Sequence, residues 1–156
     1  GIPMLLQGAE FLQEGAFNDW QALEWHNAEQ FAGFTLAHQH LIALRRNAHG
    51  NTAGLLGQHV AMFHQNDTDR VIGFHRWDNG GAKDDVLVIA NFSEKLFDEY
   101  HITLPIAGAW QVRFNSTWQG YASDTQEVSI HTVVTRDDMT VTIPIAPYMV
   151  LILSQE

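Results

Sequence analysis

The run DVLVIANF (Asp85–Phe92) decides the fold. A strand with one wet face alternates apolar and polar residues. Here Val86 to Ala90 are apolar without a break. Such a run must be covered on both faces, so it is a central strand. Upstream lies RVIGFHRW (70–77), joined to it by a segment beginning DNGG, a strong hairpin signal. Further out on either side are HVAMFH (59–64), YHITL (100–104), WQVRFN (110–115), EVSIHTVV (127–134), MTVTI (139–143) and YMVLIL (148–153). All are short and rich in β-branched or aromatic residues. Turn clusters separate them: QNDTD, SEKLFD, PIAGA, RDD and PIAP. Strands of this length and spacing, about eight in all, predict an antiparallel β-sandwich or barrel over residues 51–156. The fold class is mainly β.

The first 50 residues read differently. In NAEQFAGFTLAHQHLIALRRNAHG (27–50), Phe34, Ala37, Leu41 and Leu44 fall at helical spacing. Leu36, His40 and Ala43 share an adjoining face. Arg45 and Arg46 in the last turn complement the helix dipole. Gly33 is expected to disturb the start of this helix, and Gly50 to stop it. The chain opens with GIPMLLQGAEF (1–11), whose IPMLL reads as a short strand limited by Pro3. Residues 7–27 between strand and helix read as a long loop. A lone strand–loop–helix unit leaves both strand edges unpaired. Without neighbours, residues 1–26 are expected to be irregular, displaced, or paired with another chain.

Bulk properties narrow the function. The 156 residues carry 18 acidic and 8 basic side chains, a formal charge of −10. That argues against nucleic acid and anionic membranes, which select basic surfaces. It suits a neutral partner such as a sugar polymer. With no cysteine there is no disulfide and no thiolate metal site. This is compatible with a cytoplasmic protein, the location expected here, and leaves secretion open. No apolar run approaches the length of a membrane span.

Nine histidines raise the question of a metal. His38 and His40 are two apart on a helix and diverge, whereas zinc helices space their ligands by four. No metal and no cofactor is expected. Glycosidic acid–base chemistry needs two carboxyl groups facing one bond. Among Glu10, Glu14, Asp19, Glu24 and Glu29, only Glu10 sits at a strand end. One carboxylate cannot fill both roles, so no catalytic residue is assigned. Among the aromatics, Trp110 alternates with Val112 and Phe114 and reads as core. Trp118 and Tyr121, in the turn-like NSTWQGY, are candidates for stacking on sugar rings, with core packing as the competing reading.

Taken together, GIPMLLQGAEF, FNDWQALEW and HLIALRRN resemble the last strand, loop and helix of the alpha-amylase family barrel. VIGFHRW, DVLVIANFS, YHITLPIAGAWQVRFNST and APYMVLIL resemble that family's C-terminal β-domain, in the same order. QGAEFL, FNDW and LEW are most similar to the bacterial 1,4-alpha-glucan (glycogen) branching enzymes of the family. The resemblance implies that residues 1–50 are a remnant of the (β/α)8 barrel and 51–156 its all-β companion, an antiparallel Greek-key β-sandwich of about eight strands. It implies that the two aspartates and one glutamate of the family's catalysis lie on earlier strands, upstream of Gly1. The segment GFHRWD (Gly73–Asp78) superficially resembles the family's nucleophile motif. It carries an extra histidine, is followed by a hairpin, and is rejected. Gln7 and Glu10 would then line or brace the rim of the parent's pocket, or serve as scaffold. The implied partner is an α-glucan, glycogen or a starch-like polymer, and the implied parent activity is transfer of α-1,4 segments to 6-hydroxyls. The chain alone is expected to be inactive, to stabilise the barrel, and to self-associate through the barrel-docking face. Two alternatives stand beside this: a hydrolase or trehalose-forming relative, and a carbohydrate-binding β-sandwich module resting on Trp118 and Tyr121.

Overall fold

Both faces of the strand Val86–Asn91 are buried in the computed structural model, which describes residues 3–156. The strands are β1 (His59–Asn66), β2 (Val71–Trp77), β3 (Val86–Asn91) and β4 (Phe97–Thr103), then β5 (Ala109–Asn115), β6 (Thr132–Val134), β7 (Thr140–Ile145) and β8 (Val150–Ser154). One sheet runs β1-β2-β3-β8-β5-β6; β4 and β7 form a second, two-stranded sheet. Every pairing is antiparallel. β3 has β2 on one side and β8 on the other. The chain leaves the large sheet at β4 and again at β7, and β8 returns between β3 and β5.

The alternation of β3 builds two cores. Leu87 and Ile89 meet Tyr100, Ile102, Trp110, Val141 and Ile143 between the sheets. Val86 and Val88 point the other way, to Phe114, Ile152, Leu55 and Leu44. Leu44 belongs to a helix, so the second face is closed by the segment preceding the β-domain. The helical stretch is broken at Phe31 (φ −112°, ψ 37°) into α1 (His26–Gln30) and α2 (Ala32–Arg45). Only Ala37 and Leu44 of α2 pack into the second core; Phe34 and Leu41 of the expected apolar face are exposed. α2 stops before Gly50. Asn47 takes φ +52°, its N–H bonds to the Leu44 carbonyl, and the Ala48 N–H reaches the Ala43 carbonyl. Those paired bonds close the helix with Asn47 in the position usually given to glycine. Thr52 then ties the junction down, donating from Oγ1 to the Leu44 carbonyl (2.8 Å).

Three boundaries differ from expectation. β6 is confined to Thr132–Val134, because residues 127–131 run as a loop. β7 continues through Pro144 to Ile145, into the expected PIAP turn. β7 pairs only with β4, so the N–H that proline lacks falls where no ladder bond is required, opposite the irregularity between Phe97 and Tyr100. Third, IPMLL forms no strand in its described residues. Residues 3–6 pair with nothing and are exposed, Met4 by 93%. A strand needs a partner edge, and none of the described strands pairs with these residues. Irregular backbone over the described part of residues 1–26 matches the expectation for a strand without neighbours; Gly1 and Ile2 lie outside the described residues.

A polar latch joins the sheets at one edge. Tyr100 on β4 donates its hydroxyl to His64 Nε2 on β1 (2.8 Å) and accepts from Asn66 Nδ2 (3.1 Å). Burial lowers the His64 pKa and raises that of Tyr100, so the folded state favours both neutral forms. The sign for His64 follows. The unfolded chain takes up the proton near the ordinary value of 6.5 and the folded chain only at lower pH. Stability is therefore full above that value and falls as pH drops toward the folded pKa. Thermal unfolding should show a steeper loss between about pH 7 and pH 5 than in His64→Gln. Equal slopes would remove His64 as the cause.

Candidate functional site

Two grooves hold the residues singled out from sequence. The first lies along the outer side of α2. Gly8 turns the chain with φ +87° into a 3-10 turn, Ala9–Phe11. Phe11 is buried against Trp25, their rings 5.5 Å apart. Thr35 Oγ1 of α2 donates to the Glu10 carbonyl (3.1 Å), and Gln13 Oε1 accepts from the Glu24 N–H (2.8 Å). These contacts fold the loop back on α2. Gln7 and Glu10 are thereby brought to one groove of about 390 Å³, with Leu5, Leu6, His38 and Ile42. Neither side chain makes a hydrogen bond to the described residues, so the structure gives them no scaffold bond. Ile42 of this groove is exposed, as are Met4, Phe17, Trp20 and Trp25 of the preceding segment, Trp20 by 96%.

The second groove, about 280 Å³, lies where the loop after β5 meets α2. Asn115 and Thr117 brace that loop. Asn115 Oδ1 accepts from the Thr117 N–H (3.0 Å) and Oγ1 (2.8 Å), and Asn115 Nδ2 donates to the Val128 carbonyl (2.6 Å). Tyr121 is half-buried, stacked on Phe114 (5.3 Å, 24°), with its hydroxyl bonded to His40 Nδ1 (2.6 Å). Burial raises its pKa. Trp118 stands at 89° to Tyr121 and is 43% exposed. The two sugar-stacking candidates are thus adjacent. Tyr121 serves as a pillar, and Trp118 carries the open surface. His40 and Phe114 are the members that sequence reading missed. His40 lies far from Trp118 in the chain, and only the packing of α2 onto the sheet joins them.

Gly33 makes that packing possible. A Cβ at Gly33 would lie 2.0 Å from the Tyr121 carbonyl oxygen, so glycine permits contact between α2 and the loop; it does not break the helix. In an open helix, Gly33→Ala should stabilise by about 1 kcal/mol. Here it should destabilise by about 1–3 kcal/mol, because backbone must move. Urea unfolding gives the sign directly.

Elsewhere, Asp78 of GFHRWD sits in the β2–β3 turn, and His75 is bonded to Asp85 Oδ1 (2.8 Å) and stacked on Trp77 (4.5 Å). Its environment is that of a hairpin brace, as the rejection of the motif requires. Among the described residues no three His, Asp or Glu side chains cluster in metal-binding geometry, and no helix is long and apolar enough to cross a membrane.

The family profile described as "Alpha amylase, C-terminal all-beta domain" matches residues 63–156, from within β1 to the end of the chain. The chain belongs to this family. Relatives of the alpha amylase C-terminal all-beta domain in this chain include the 1,4-alpha-glucan branching enzymes GlgB of Nitrobacter hamburgensis and Rhodopseudomonas palustris. The first is 29% identical over 131 residues, spanning 74% of this chain and 17% of the relative. A Rhodopseudomonas palustris sequence is 26% identical over 163 residues, spanning 100% and 22%. The chain thus spans about a fifth of the length of the curated relatives it matches. Pullulanase from Anoxybacillus sp. LM18-11, solved with maltotetraose, has the same fold over 100% of this chain and 21% of its own (TM-score 0.63, 18% identity). Alpha-amylase from H. orenii does so over 88% and 25% (TM-score 0.54, 16% identity).

Proposed function

We propose that this chain is the C-terminal part of an α-glucan-active enzyme, a 1,4-alpha-glucan branching enzyme, acting in the cytoplasm. Residues 1–50 are the last strand, loop and helix of its barrel, and 51–156 its all-β domain. The observation that carries the reading is the uncovered apolar surface of the first 50 residues. Met4, Trp20 and Trp25 are exposed in the segment before α2, while the inner side of α2 is packed on a β-domain whose relatives are branching enzymes. Exposed apolar side chains that gather into a large patch mark a contact face. Gln7 and Glu10, which line one groove and whose side chains make no hydrogen bond among the described residues, are rim residues of the parent's pocket.

The chemistry of such a parent needs a carboxylate nucleophile and a carboxylic acid on opposite sides of the scissile bond, about 5–5.5 Å apart. Capture of the glycosyl group by a sugar hydroxyl in place of water sets branching against hydrolysis. The purified chain should leave amylose unchanged. The longer protein carrying it should lower the iodine colour of amylose and create α-1,6 signals in the proton NMR spectrum without new reducing ends. A rise in reducing ends would overturn branching in favour of hydrolysis. Activity of the isolated chain would overturn the assignment of catalysis to other residues. The same apolar surface should make the isolated chain self-associate in sedimentation; a clean monomer at high concentration would count against a docking face.

A further inference from the structure

We propose that the groove over Trp118 binds an α-1,4-linked glucan chain, by stacking on the indole and hydrogen bonding to Arg113 and Glu127. The ligand class rests on the α-glucan reading above; the site itself rests on geometry. An indole left 43% exposed is held here in one place. Gly120 backs it: a Cβ at that position would come within 2.4 Å of the ring. Tyr121, fixed by Phe114 and His40, buttresses it at 89°. The loop beneath is closed by Thr125 Oγ1, whose single proton is shared between the Thr117 and Ala122 carbonyls, both at 2.8 Å. Ordering costs that weaken binding to mobile aromatics are therefore already met in the free protein.

The polar groups lining the groove match a sugar. Glu127 is fixed by accepting from the Gln119 N–H (3.2 Å) through Oε2, which leaves Oε1 as an acceptor. Arg113 is fixed by its Nε donation to Ser154 Oγ (2.9 Å) and by the contact of Nη2 with the exposed Glu156 carboxylate (4.0 Å), which leaves Nη1 as a donor. A carboxylate and a guanidinium on one groove suit neighbouring sugar hydroxyls, which both donate and accept. Shape selects the linkage. A flat β-linked ribbon is served by a row of coplanar rings, whereas here Tyr121 stands at 89° beneath Trp118 and leaves a single stacking platform, which suits one ring of a curved chain. The volume of about 280 Å³ is below the usual range of about 300–1,000 Å³ for enclosed ligand pockets, so the groove takes a short stretch of a polymer passing across it.

The test uses the 156-residue chain and maltoheptaose. Its five tryptophans give separate indole signals in a nitrogen–proton spectrum. Maltoheptaose should move the Trp118 signal with a Kd of about 1 mM. Trp118→Ala should weaken binding about tenfold or more, and Glu127→Gln, which leaves the aromatic cluster intact, several-fold. Cellohexaose should bind far more weakly. Three results would each overturn the proposal: no shift at about 10 mM sugar, shifts confined to Trp20 or Trp25, or unchanged affinity in Glu127→Gln together with a folded Trp118→Ala. Equal binding of cellohexaose would overturn the linkage assignment. An active longer enzyme with no binding here overturns this site alone. Binding here with no glucan activity in the longer protein overturns the branching reading alone.

Discussion

Trp110→Ala is expected to lower the stability of this chain by about 3–5 kcal/mol, the range for deleting a buried tryptophan side chain. Trp110 has 0% exposure and lies between the sheets, beside Leu87 and Ile89 from the central strand and Val141 and Ile143 from β7. Its indole N–H is satisfied by the Ile106 carbonyl (3.3 Å), so truncation also strands an acceptor. No neighbouring segment can collapse into the space, because β5 is held between β8 and β6. The loss is a large fraction of the roughly 5–15 kcal/mol available to an ordinary domain. For a chain of this length it should lower Tm by about 6–20 °C. Trp118→Ala supplies the contrast within the same strand and loop. Its ring is partly exposed and borders a groove, so its removal should shift Tm far less. If the two variants lose equal stability, the separation of a structural indole from a binding indole fails.

The β-domain was legible because its strands carry their own evidence. β2 and β7 alternate in burial, whereas β3 and β8 are apolar runs covered on both faces and pair at the centre of the large sheet. All eight strand segments are found. The errors at β6 and β7 have local causes: a loop braced by Asn115 and Thr117 takes residues that could have paired, and an edge strand tolerates Pro144. The first 26 residues were less legible. IPMLL has strand composition, but a strand is a property of two segments, and the second is absent from the described residues. The Trp118 groove was half legible. Aromatic residues in a turn drew attention to Trp118 and Tyr121, whereas His40, Phe114 and the need for glycine at 33 and 120 arise only from how α2 crosses the sheet. Nothing in a sequence periodicity reports such a crossing. Gln7 and Glu10 were placed on a common rim by the resemblance, and a single 3-10 turn brings them to the same groove.

Asp84→Ala should cost about 3–5 kcal/mol, from lost hydrogen bonds to a charged acceptor. The segment from Asp78 to Asp85 is longer than a two-residue hairpin turn, and glycines at φ +82° (Gly80) and +99° (Gly81) bend it back. Those bends leave successive N–H groups pointing inward, where the buried Asp84 carboxylate accepts from Asp78 (3.1 Å), Asn79 (2.6 Å) and Gly80. Asp85 takes the Gly81 N–H (2.7 Å) and the His75 ring. The same segment is tied to the helix junction, since the Gly54 N–H donates to the Asp84 carbonyl (2.9 Å). Removing the carboxylate therefore loosens the β2–β3 connection and the entry to the β-domain together. Asp84→Asn keeps the shape and one acceptor oxygen but puts an amide where Asn79 and Gly80 donate, or loses the Asp78 bond if it turns over. It should recover only part of the loss. Urea unfolding of the three proteins, with amide exchange at residues 78–81, decides the matter. Exchange that stays slow in Asp84→Ala would mean that the glycine bends alone hold the turn.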